Sequence, residues 1–176
     1  MRKDLKELVK NFSASKTNTQ TINDIINELN FQIESRKAPE DSKEWKQFVI
    51  DVLDAIPENN DDIYNHLIHK CIDHSRTYFT DSSNNEGNKS FYFIVLEKCL
   101  DKKFKLDDST KNEFLRDTIK TTLLESSLNL LVDNLLCDNE SADLFCKYVE
   151  TIMEIEEENP DKAYYAGKKF FEIISK

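Results

Sequence analysis

All three histidines of the chain lie within residues 66–74, a segment whose apolar spacing predicts a helix. Two of them and two aspartates fall within an arc of about 60° on an ideal helix. These four side chains are Asp62, His66, His69 and Asp73. Imidazole and carboxylate groups are zinc ligands, and zinc-bound water supports hydrolysis. The spacing therefore makes these four residues the candidate metal ligands.

The apolar stripe of the same helix is centred on Leu67, Cys71 and Tyr78, which leaves the candidate ligands pointing to water. A catalytic zinc ion normally sits in a dry pocket whose ligands are held by further hydrogen bonds. We therefore expect an exposed polar face, with no resident metal and no other cofactor. A metal-dependent enzyme is the third of three functional hypotheses.

Other catalytic patterns are absent from the sequence. No serine has the context of a nucleophile elbow, and no glycine-rich loop could hold a phosphate. The four cysteines form no CxxC pair and lie among apolar helical positions, so we expect reduced thiols in the core. They are Cys71, Cys99, Cys137 and Cys146. We therefore expect a protein that is not an enzyme.

The composition indicates an all-α fold in one domain, residues 1–176. Of 176 residues, 2 are Gly and 3 are Pro, whereas average usage predicts about 12 and 9. No apolar run of about 18 residues occurs, and no signal peptide is recognisable. We therefore expect neither membrane insertion nor secretion, and an intracellular location in cytoplasm or nucleus.

The charge pattern bears on the kind of partner. The net charge is −10, and residues 41–89 and 126–176 together account for −11. Such a chain repels nucleic-acid phosphates and attracts basic surfaces. We therefore expect no nucleic-acid partner.

Apolar residues at helical spacing predict four helices before residue 80, the fourth from about 61 to 79. The third is the clearest, with an Asp41-x-x-Glu44 capping pattern and a stripe of six apolar residues that begins at Trp45. The polar residues 80–89 predict either a flexible loop or a linker between two helical halves. Residues 91–96 are continuously apolar, but the spacing onward to Phe104 favours a buried central helix over a strand.

Four more helices follow, for a total of about nine. Residues 109–137 are divided at 125–127 into two helices. The eighth is capped by Asn139 and expected to end at the acidic run 154–158, and the ninth begins at Asn159-Pro160. Short links predict antiparallel hairpins. They stack either as a HEAT-like or armadillo-like helical repeat or as a closed orthogonal bundle, although no fixed repeat period occurs.

Most aromatic residues fall on the predicted core stripes, and the exceptions are candidate contact residues because exposed aromatics often anchor interfaces. Acidic residues near the end of the chain complete the predicted partner-binding set. The set is Phe31, Tyr92, Tyr164, Tyr165, Glu154, Glu156, Glu157 and Glu158.

The leading hypothesis is a non-enzymatic helical adaptor or scaffold module that docks a peptide, a helix or a partner domain. An acidic surface with aromatic groups suits a partner protein that has a basic amphipathic segment. The alternative is a pathogen or viral protein of private helical fold that targets or regulates a host, since the richness in Lys, Asn, Ile and Asp is typical of an AT-biased genome.

Overall fold

The computed structural model describes residues 4–57, 62–80, 90–107, 109–114, 141–158 and 160–175. This part of the chain is mostly helical and holds no strand, which confirms the predicted all-α class. Its helices are α1 Leu5–Ala14, α2 Thr19–Ser35, α3 Ser42–Ala55, α4 Asn65–Tyr78, α5 Phe91–Asp101, α6 Ser141–Glu158 and α7 Pro160–Ile174. Residues 109–114 are also helical.

The predicted count of about nine helices and the repeat arrangement are not confirmed, because seven complete α-helices lie within the described residues. Three sequence predictions lie outside the described residues: the helix break at 125–127, the core position of Cys137 and the helix cap at Asn139. The chain divides into two compact units, residues 1–104 and residues 105–176.

Polar side chains begin the helices of the first unit. Asp4, Asn18, Asp41 and Ser90 each accept a hydrogen bond from a backbone N–H of the first turn. The carboxylate of Asp41 accepts from the N–H of Glu44 at 2.9 Å, as the capping pattern predicts. Ser90 Oγ accepts from the N–H of Phe93 at 3.1 Å. The apolar run that begins at residue 91 is thus helical, in agreement with the favoured prediction.

The core of the first unit is formed by the apolar stripes of its helices. α1 packs against α2 and α3, while α4 packs against α2, α3 and α5. Two tyrosines connect distant segments: Tyr64 donates to the carbonyl of Lys16 at 3.1 Å, and Tyr78 to that of Gln32 at 2.6 Å. The fourth helix is shorter than predicted, since Asp62–Tyr64 form a 3₁₀ turn that precedes α4.

The boundary between the two units lies between residues 104 and 105 and does not coincide with the polar stretch 80–89. The helices on either side of that stretch, α4 and α5, pack together. The N–H of Tyr92 also donates to the carbonyl of Phe79 at 3.0 Å. Residues 80–89 are therefore not where the two units separate.

The C-terminus of α3 is stabilised by a lysine from beyond α5. Lys102 Nζ donates to the carbonyls of Leu53 at 2.9 Å, Asp54 at 2.8 Å and Ile56 at 2.6 Å. A cation at this position satisfies carbonyls that have no partner within the helix and interacts favourably with the helix dipole. It also connects two segments that are more than forty residues apart.

In the second unit, α6 and α7 pack against each other and are joined by residue 159 alone, so they form a helical hairpin. Pro160 is the first residue of α7, as predicted. The eighth predicted helix corresponds to α6, which includes the acidic run and ends at its last residue, Glu158. Glutamate is a good helix former, and like-charge neighbours cost only a few tenths of a kcal/mol each.

Candidate functional site

The four candidate metal ligands are not brought together by the structure. Asp62 lies in the 3₁₀ turn and accepts a hydrogen bond from Asn65 at 3.0 Å. Asp73 is paired with Arg76 at 3.1 Å and with Lys70 at 3.9 Å. Within the described residues, no group of three or more His, Cys, Asp or Glu side chains is arranged to hold a metal ion.

The two cysteines of the first unit are unsuited to nucleophilic chemistry. Cys71 and Cys99 are fully buried and free. Burial raises the pKa of Cys99 to about 12 and raises that of Cys71 well above its usual value. The thiolate is the reactive form of cysteine, so both thiols are inert at neutral pH. Cys146 is exposed, which corrects the expectation that it lies in the core.

His74 is a buried histidine that sequence reasoning missed. Its ring stacks on Trp45 with centroids 4.7 Å apart and also contacts Tyr78 and Phe79, at 5.3 and 5.7 Å. Neither ring nitrogen has a hydrogen-bond partner in the described structure. Burial lowers the pKa of His74 from 6.5 to about 4. Its spacing, three residues after Cys71 and four before Tyr78 on one apolar stripe, is the signal that could have found it.

Two predicted contact aromatics lie in the first unit and differ in exposure. Phe31 is 66% exposed, as expected for a residue off the apolar stripe of α2. Tyr92 is only 4% exposed, so the expectation that it lies on the surface was wrong. Arg76 contacts this buried tyrosine: its guanidinium lies 5.6 Å from the ring centroid, and its Nε donates to the hydroxyl oxygen at 3.3 Å.

A groove runs between the two helices of the C-terminal hairpin, and we define it by its lining. α6 contributes Ile152 and Glu156. α7 contributes Pro160, Ala163, Tyr164, Gly167, Lys168 and Phe171. These α7 residues recur at three- and four-residue intervals, so they form one continuous face of that helix. The groove is therefore an elongated surface along the hairpin.

Large apolar side chains along this hairpin remain exposed. Tyr164 is 75% exposed, Phe171 63% and Met153 61%. Val149 is exposed as well. The helical spacing of Val149, Met153 and Phe171 with the apolar residues around them predicts that they are buried, and their exposure corrects that prediction. Exposed apolar residues of this size are typical of protein-contact surfaces where they share one face, as Tyr164 and Phe171 do in the groove.

Four glutamates of α6 form a second feature of the hairpin, and we call them the acidic rim: Glu150, Glu154, Glu156 and Glu157. With Met153 these residues line a second depression, and Glu156 lines both depressions. α6 as a whole has six acidic residues and one basic residue, whereas α7 has two acidic and three basic residues. The negative charge of the hairpin is therefore concentrated on one of its helices.

The structure thus brings together part of the predicted partner-binding set. Tyr164 and Glu156 line the groove, and Glu154 and Glu157 belong to the acidic rim. Phe31 and Tyr92 belong to the other unit. The side chains of Tyr165 and Glu158 lie outside the described part of the structure. Sequence reasoning missed Gly167 and the exposure of Phe171.

Comparison with known proteins adds no relative: no protein-family model, no curated protein and no solved structure matches the chain. No described helix combines the length and the apolar character needed to cross a membrane.

Proposed function

We propose that this protein is a non-enzymatic interaction module whose C-terminal hairpin docks a basic amphipathic helix of a partner protein. The observation that carries the proposal is the groove itself, which the exposed rings of Tyr164 and Phe171 line together with Glu156. Amphipathic helices bind in this way, with their apolar face in a groove between helices.

Apolar and charged groups have separate roles in the proposed docking. Tyr164 and Phe171 are large and exposed, so covering them removes apolar surface from water and stabilises the complex. The acidic rim attracts a cationic helix over distances of about 8 to 10 Å at physiological salt and selects against acidic partners. A second copy of this acidic hairpin is a poor occupant for the same reason.

A designed peptide tests the proposal. The probe is a helix-forming peptide of about 15 residues, with Leu on one face and Lys on the other, titrated against the full chain by fluorescence anisotropy. We expect saturable binding that weakens by about tenfold or more in the Tyr164→Ser, Phe171→Ser double variant. The matched control is Phe31→Ser, which removes an exposed aromatic outside the groove and should leave the affinity unchanged.

Charge is tested separately. A peptide with Glu in place of Lys should not bind. The association rate of the Lys peptide should fall with rising salt and with Glu154→Gln, Glu156→Gln and Glu157→Gln combined, while its dissociation rate changes less. Absence of binding to the wild-type chain contradicts the proposal. If the Phe31→Ser variant loses binding instead, the docking surface lies on α2.

A further inference from the structure

We infer that Gly167 is the floor of a notch that receives one large aliphatic side chain of the docked helix. We define the notch as the gap at Gly167 between Tyr164 and Phe171 on α7. This inference rests on the proposed docking function and names the residue that determines which helices are accepted.

No contact with the described residues requires a glycine at position 167. The chain has only 2 glycines, and Gly167 lies in the middle of α7, where glycine is among the poorest helix formers. Its backbone does not adopt the positive φ that would require glycine. Among the described residues, a Cβ atom added to it would meet nothing within 4 Å, so no described neighbour excludes a side chain. Space is open on the groove side of α7.

The neighbours of Gly167 give this open space its shape. Tyr164 lies three residues before it and Phe171 four residues after it, so both share its face of the helix. Their Cα atoms are about 10 Å apart along the helix axis, and the absent side chain leaves a gap between two exposed aromatic residues. A gap of this kind, floored by hydrogen-bonded helix backbone, favours an apolar occupant.

The charged residues of the groove orient the occupant. Glu156 lines the groove from α6, and Lys168 lines it from α7. A docked helix therefore places its Lys or Arg residues toward α6 and neutral or acidic residues toward Lys168. We therefore expect the docked helix to have a Leu, Ile or Met that enters the notch. A Lys or Arg lies about one helical turn from it, on the side that faces α6. This is a narrower class than all basic amphipathic helices.

The test fills the notch from the protein side. In Gly167→Leu, a side chain occupies the open space, and we expect the dissociation constant of the Leu and Lys peptide to rise by about tenfold or more. Gly167→Ala is the matched control and should change it by less than about threefold. Both variants should melt at the same or a higher temperature than wild type, because Ala and Leu are better helix formers than Gly.

A second measurement changes the peptide. Replacing each Leu in turn by Ala should identify one anchor whose loss weakens binding to the wild-type chain but weakens binding to Gly167→Leu much less. If Gly167→Leu binds the peptide as tightly as wild type, the notch is refuted while the docking function stands. If the wild-type chain binds no Lys peptide, both fail.

Discussion

The helices of the first unit and the C-terminal hairpin have similar sequence patterns but different outcomes. In α1 to α4, the apolar stripes are covered by neighbouring helices, and residues such as Phe12, Trp45 and Leu67 are completely buried. In α6 and α7, large residues at helical spacing remain in contact with water, among them Met153 and Phe171. The same periodicity therefore produces a core in one unit and an exposed face in the other.

This difference teaches what an amphipathic pattern specifies. Apolar residues at intervals of three and four indicate that covering one face of the helix lowers the free energy. This spacing does not indicate which molecule covers that face. In the first unit the other helices do so, and for the hairpin we propose that a partner helix does. The following experiments test this contrast.

The largest expected effect is in the core of the first unit. Trp45 is completely buried, with Phe48 edge-on at 5.6 Å and His74 stacked at 4.7 Å. Trp45→Ala should lower the free energy of unfolding by about 3 to 5 kcal/mol through lost burial and the cavity left behind. Urea denaturation followed by far-ultraviolet circular dichroism measures this loss. A loss below about 1 kcal/mol would mean that the core of this unit is not centred on Trp45.

The next largest effect depends on pH through His74. Because the folded-state pKa is lowered from 6.5 to about 4, the unfolded chain binds a proton first as the pH falls. Stability due to the neutral ring is therefore complete above pH 6.5 and is lost toward pH 4. The slope is about 1.4 kcal/mol per pH unit, or about 3 kcal/mol in total.

His74→Phe isolates this contribution, since it retains an aromatic ring among Trp45, Tyr78 and Phe79 but cannot titrate. The difference in unfolding free energy between the variant and wild type should grow as the pH falls from 6.5 to 4. Taking the difference removes the titration of carboxylates, which is common to both proteins. Parallel stability curves over this range would show that His74 is not buried in its neutral form.

Much of the first unit could be predicted from sequence because its helices are amphipathic and capped locally. Asp41 lies three residues before Glu44, and the stripe from Trp45 follows, so the bounds and the buried face of α3 were both predictable. Tyr92 was mispredicted because it lies in a run that is apolar on all sides, where periodicity gives no face. The contact of Lys102 with α3 connects residues 46 to 49 positions apart, and no local pattern encodes it.

The candidate site was predictable only in part, for a physical reason. Tyr164 and the acidic run stand out by type and position. Exposure of Met153 and Phe171 depends on whether another segment covers them, which a helical period does not determine. The importance of Gly167 depends on the space beside it and on its two neighbours along α7, so it emerges only from the structure.

A smaller effect is expected at the end of α3. Lys102→Met retains most of the aliphatic stem but removes the ammonium that three carbonyls share. We expect a loss of about 2 kcal/mol from charge-assisted hydrogen bonds and the helix dipole. Trp45 is the only tryptophan, so its fluorescence in urea reports this unit. The control, Lys43→Met at an exposed position, should change stability by less than about 0.5 kcal/mol. Equal effects of the two substitutions would refute the capping role.

The smallest expected effect tests the contrast between the two regions most directly. Tyr164→Ala removes a whole ring, yet the free energy of unfolding should change by less than about 0.5 kcal/mol because the ring is exposed. Tyr64→Phe removes only one oxygen, but that oxygen donates to the carbonyl of Lys16 within the first unit, and its loss should cost about 1 kcal/mol. Far-ultraviolet circular dichroism in urea measures both. If Tyr164→Ala is instead the more damaging of the two, the ring of Tyr164 is covered within the folded protein, and the hairpin has no free groove for a partner to occupy.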